Sequence, residues 1–78
     1  MSIAERLREV EARLTSACAA AARPRDSVLL VAVSKTHPAS AIREAYALGI
    51  RDFGESYAQE LAEKAEALAD LVDLRFHF

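Results

Sequence analysis

The sequence holds one cysteine, no tryptophan, two glycines, two prolines and two histidines. Each scarcity removes a class of protein. A lone Cys18 cannot close an internal disulfide, the usual staple of small secreted domains. One cysteine and two histidines do not make a structural zinc set, so no metal site is expected. With two glycines there is no phosphate loop of the GxGxxG or Walker type. No apolar run approaches the ~18 residues of a membrane span. Met1–Leu14 carries charges every few positions and lacks the apolar stretch of a secretory leader. A charge bias is missing too: 10 basic residues stand against 12 acidic ones, interspersed, so no basic stripe offers itself to nucleic acid. Together these absences predict a soluble cytoplasmic protein that binds neither nucleic acid nor membrane.

Bulk is also scarce. Of the 78 residues 53% are hydrophobic, but 17 of these are alanine, leaving 24 larger apolar side chains for a core. Domains cluster at about 100–150 residues, and short chains bury a smaller share of their surface. A chain of this size without staples needs an unusually dense core, a partner or a longer context.

What is present is a regular order of elements. Ser2-Ile3-Ala4-Glu5 has the spacing of a capping box. Behind it Ile3, Leu7, Val10, Leu14 and Cys18 recur at helical spacing, which predicts an amphipathic helix to about Ala22, ended by Arg23-Pro24. Val28–Ser34 is a continuous, β-branched apolar run, the pattern of a parallel strand covered on both faces. Pro38 suits the first turn of a second helix carrying Ile42, Ala45, Tyr46 and Leu48, with Gly49 where a left-handed cap belongs. A short strand fits Ile50–Gly54. Ser56-Tyr57-Ala58-Gln59 reads as a further capping box, opening a helix through Leu61, Ala65, Leu68 and Ala69. Leu74–Phe78 reads as a third strand, inside which the chain stops. The order α-β-α-β-α-β predicts an α/β fold with a parallel sheet. An uncovered apolar strand at the end invites edge pairing, which reads as a cut end or as a site of self-association.

In such folds ligands meet the C-terminal ends of the strands. Lys35 follows the apolar strand directly, and alternation puts it on one face with Val33, Val31 and Leu29. Desolvation at an apolar mouth would lower its pKa and raise the neutral amine that Schiff-base chemistry needs. The other reading is a lysine snorkelling off the strand end into water. Ser56 is either a ligand contact or the N-cap of its helix. Glu55 either orients a ligand or is a solvated loop carboxylate, and the Tyr57 ring is expected to pack. His37 and His77 lie far apart with no third partner.

Leu30-Val31-Ala32-Val33-Ser34-Lys35-Thr36, then Pro38-Ala39, and downstream Phe53-Gly54-Glu55-Ser56-Tyr57-Ala58-Gln59-Glu60 closely resemble the pyridoxal phosphate homeostasis protein family. Those proteins resemble the N-terminal barrel domain of alanine racemase. The likeness runs from the first helix to His77-Phe78, and two linked motifs in the right order make it specific. It implies that residues 1–78 are the N-terminal part of a single parallel (β/α)8 TIM-type barrel. It further implies that Lys35 carries pyridoxal 5′-phosphate as a Schiff base. Members look like cofactor carriers in vitamin B6 and amino-acid metabolism, without robust catalysis. Ser56 stands where the family usually has asparagine in its Gly-Glu-Asn-Tyr motif; serine keeps a capping oxygen but loses the amide donors. Such a barrel typically needs about 250 residues, with its phosphate site in the late loops. Two other functions remain: a pyridoxal-dependent enzyme such as an amino-acid racemase, and an inactive truncated product.

Overall fold

Ser2 opens the first helix in the computed structural model, which describes residues 2–78; Met1 lies outside them. The Ser2 hydroxyl accepts from the Glu5 amide at 3.1 Å and the Glu5 carboxylate accepts from the Ser2 amide, so the expected capping box forms. Helix α1 spans Ile3–Ala20, slightly short of the expected end at Ala22. Its stop is chemical. Ala22 takes a left-handed backbone with φ 55°. The Ala22 amide then donates to the Ala19 carbonyl at 3.1 Å and the Arg23 amide to the Cys18 carbonyl at 2.9 Å. This is the paired closure of a Schellman motif, built with alanine where glycine is usual. Of the expected apolar face Cys18 is buried, whereas Val10 is exposed. After Pro24 the chain makes one 3₁₀ turn at Arg25–Ser27, tied back to α1 by a two-pronged Arg25–Glu11 ion pair.

The remaining elements follow the predicted alternation: β1 (Ala32–Val33), α2 (Ala39–Ala47), β2 (Asp52–Gly54), α3 (Ala58–Ala67) and β3 (Arg75–His77). The strands pair in parallel in the order β1-β2-β3. Gly49 adopts φ 103° just past α2, as its cap position requires. Pro38 is the N-cap of α2 rather than part of its first turn.

Each strand is shorter than its apolar run, because a run becomes ladder only where a neighbour accepts its bonds. Val28–Val31 precede the paired segment, and β1 has a neighbour on one side alone. Nor is the run covered on both faces: Leu29 is 59% and Val33 65% exposed. Register sorts the side chains. Ala32, Phe53 and Phe76 form one row, which packs with Ile42, Ala45 and Leu68 from the helical side. Val33, Gly54 and His77 form the next row, on the opposite, open face. At the other end of the sheet Arg51 stacks on the Tyr46 ring at 3.7 Å and pairs with Asp73, tying α2 to the turn before β3.

An alanine held in the left-handed region costs roughly 1–2 kcal/mol, partly offset by the entropy glycine adds to the unfolded chain. Ala22→Gly is therefore expected to stabilise the fold by about 0.5–1 kcal/mol, read as a raised denaturant midpoint at unchanged slope. A lowered midpoint would refute the strain.

Candidate functional site

Beyond β1 the chain enters a turn whose geometry is set by groups from two other elements. Ser34 closes the strand: its amide donates to the Gly54 carbonyl at 2.9 Å. Its hydroxyl donates to the Glu55 carboxylate, and its carbonyl accepts from the Lys64 ammonium at 2.6 Å and from the His37 amide at 3.0 Å. Lys64 also donates to both Glu55 oxygens, at 2.9 and 3.1 Å. The Glu55 side chain is 0% and that of Lys64 8% exposed. Glu55 is thus the opposite of a solvated loop carboxylate. Its desolvation is offset by a full charge and a hydroxyl at bonding distance. Among the described residues no buried side-chain nitrogen or oxygen lacks a partner.

Thr36, two residues on, has φ 66°. A β-branched residue held there costs on the order of 1–3 kcal/mol, so something must hold it. The Glu60 carboxylate does, accepting the Thr36 amide at 2.9 and 3.2 Å. Lys35 lies between these anchored neighbours and is exposed. On the face that carries it, Val33 is 65% and Leu29 59% exposed.

Ser56 is exposed and does not cap α3. The N-cap is Tyr57, with extended backbone and no side-chain cap bond. The cause lies one residue earlier. Glu55 is drawn inward by Lys64 and its amide donates to the His77 carbonyl at 2.9 Å, so the chain stays extended through Tyr57. Tyr57 is 54% exposed, where a packed ring was expected.

The open face carries a second group that the sequence reading missed. Asp52 on β2 is buried and accepts Arg75 Nε at 2.8 Å and a terminal guanidinium nitrogen at 2.9 Å. His77 Nε2 lies 2.9 Å from the same carboxylate, which gives this histidine a partner. Because an ionised carboxylate only accepts, Nε2 carries the proton. The Arg75 guanidinium first, and His77 second, hold the Asp52 carboxyl down at about 2. No sequence signal marks this cluster, because it forms only through the strand register. Lys64 was missed for a related reason: at four residues from Glu60 it reads as half of a surface helix pair. His37 contributes only its amide to the turn.

The geometry defines a class: parallel β/α units with an exposed lysine at the C-terminal end of the first strand. No family model matches the chain. Among curated proteins, the pyridoxal phosphate homeostasis protein of Pseudomonas aeruginosa is 53% identical over 77 residues, covering 99% of this chain and 33% of that protein. The one from Aquifex aeolicus is 44% identical over 78 residues, covering all of this chain and 34% of its own length. Among solved structures, PipY of Synechococcus elongatus PCC7942 without PLP superposes with TM-score 0.80 at 49% identity, covering 99% of this chain and 31% of PipY. Its PLP-bound form gives TM-score 0.79 at 48% identity, with 99% and 32% covered. The chain belongs to the pyridoxal phosphate homeostasis protein family, and it spans about a third of the length of the curated relatives it matches. Its three strands correspond to a parallel α/β segment of the (β/α)8-type barrel.

Asp52 ionises more easily folded than unfolded, so its contribution to stability is complete above the ordinary carboxyl value of 3.8 and lost as pH falls to about 2. A carbon-detected titration of the Asp52 carboxyl should show a midpoint near 2, and Arg75→Ala should move it back toward 3.8. A midpoint of 3.8 in the unaltered protein would contradict the pairing.

Proposed function

We propose that this protein binds pyridoxal 5′-phosphate through Lys35 and acts as a carrier that buffers the cofactor in vitamin B6 and amino-acid metabolism. The observation that carries the reading is an exposed primary amine at the C-terminal end of the first parallel strand, with both neighbouring residues anchored. When bound, pyridoxal 5′-phosphate supplies an aldehyde carbon with which a lysine amine links reversibly, losing water. The Lys35 amine fits that end of the cofactor. Ser34 and Thr36 hold the backbone from which it projects. Ser56 is the second proposed contact: Lys35 and Ser56 each lie two residues beyond the paired Val33 and Gly54, at the ends of adjacent strands. Arg75 and His77, bonded to Asp52, are not proposed as contacts for the phosphate end. The relatives' name and the PLP-bound PipY structure support the same ligand.

In this reading residues 1–78 are part of one barrel domain that holds the cofactor without catalytic turnover. β1 and β3 each pair with one neighbour, and these free edges are the proposed route to self-association if the 78 residues stand alone. Among the described residues no helix is long and apolar enough to cross a membrane. The interspersed charges and single cysteine support a cytoplasmic setting.

The test is capture by reduction. The full-length protein is incubated with pyridoxal 5′-phosphate, reduced with borohydride and mapped by peptide mass. The adduct is expected on Lys35, with Lys64 unlabelled because it is buried and paired, and it should disappear in Lys35→Ala. Equal capture by Lys35→Ala would overturn the assignment.

A further inference from the structure

We propose that Glu60 and Lys64, one turn apart on α3, are positioning residues that fix the direction in which Lys35 leaves the backbone. The inference rests on the reading of Lys35 as the attachment residue. The Ser34 carbonyl belongs to the peptide unit that precedes Lys35, and the Thr36 amide belongs to the unit that follows it. Lys64 Nζ donates to the first at 2.6 Å, and the Glu60 carboxylate accepts from the second at 2.9 and 3.2 Å. Peptide units are planar, so the only soft backbone rotations between these two anchors are the φ and ψ of Lys35 itself. Anchoring both units therefore fixes the Cα–Cβ bond while the side chain beyond it remains free and exposed.

Both anchors come from a single helix. Residues four apart share a helix face, so Glu60 and Lys64 act as one rigid bracket rather than two independent contacts. The charge of Lys64 is balanced by Glu55, which also accepts the Ser34 hydroxyl. Thr36 adds a directional clue. Its left-handed backbone is held by two bonds, the Thr36 amide to Glu60 and the His37 amide to the Ser34 carbonyl, and Glu60 is the one that comes from outside the turn. Had α3 served only to cover the sheet, the apolar Leu68 at its C-terminal cap would suffice, and no carboxylate would need to meet the turn. Holding a reactive amine in one direction favours capture, because a misaimed group loses reaction rate while the ligand's other contacts persist.

Two measurements on the full-length protein separate this claim from the attachment reading. Without cofactor, amide exchange at Thr36 should speed up about tenfold in Glu60→Ala, with Ile42 unchanged and Glu60→Gln restoring protection. With cofactor, the borohydride-trapped capture rate at Lys35 should fall about tenfold or more in Glu60→Ala. Affinity for pyridoxine 5′-phosphate, which has no aldehyde, should stay the same, and Glu60→Gln should recover most of the rate. Unchanged Thr36 exchange in Glu60→Ala overturns the bracket whatever the protein binds. An unchanged capture rate, or a parallel loss of analogue affinity that glutamine does not rescue, overturns it as well. Faster Thr36 exchange with no capture at Lys35 in the unaltered protein overturns the attachment reading and leaves the backbone bracket standing.

Discussion

A carboxylate, an ammonium and a hydroxyl share one buried space at the C-terminal end of the sheet: Glu55, Lys64 and Ser34. Three elements meet there, the turn after β1, the loop after β2 and the middle of α3. Each group supplies what the others need. The ammonium neutralises the carboxylate and still reaches the Ser34 carbonyl; the hydroxyl takes up remaining acceptor capacity on Glu55. A buried ion pair gives little net stability over apolar packing, but removal of one partner leaves an uncompensated charge. Its contribution here is geometric. It locks α3 against the end of β1 and sets the level at which Lys35 emerges.

The apolar core alone would not do this. Phe53, Ile42, Leu68 and Ala45 bring the helices onto one face of the sheet without specifying which carbonyl or amide at the strand ends meets which side chain. The opposite face is open along Leu29 and Val33 and carries the bidentate Arg75–Asp52 pair with His77 beside it. Both sides of the sheet are therefore ordered by a buried carboxylate: Glu55 at the strand ends, Asp52 on the open face. The two differ in their partners. Glu55 meets a buried lysine, whereas Asp52 meets side chains that reach it from solvent.

Local chemistry was legible in the sequence; chemistry across elements was not. The alternating order, the Ser2 capping box and the Gly49 cap each depend on a few adjacent residues, and each formed. The strand limits did not follow from apolar runs, because pairing depends on a neighbour's length. The Ser56 cap failed since the fate of Glu55, one residue earlier, is decided by Lys64 and by His77 on another strand. Asp52 and His77 are 25 positions apart, and only the parallel register joins them. Lys35 stood out in the sequence as a lysine after an apolar strand. What holds it, two charged residues that read as a surface helix pair, became visible only when α3 was placed against the turn.

The central claim is that Glu55 and Lys64 act as one unit, and a double-mutant cycle in chemical denaturation of the full-length protein tests it most directly. Glu55→Met and Lys64→Met alone should each cost about 3–5 kcal/mol, since each strands a buried charge. The double variant should cost less than the sum by at least ~2 kcal/mol, or should fold where either single variant does not. Single costs that simply add would contradict the account.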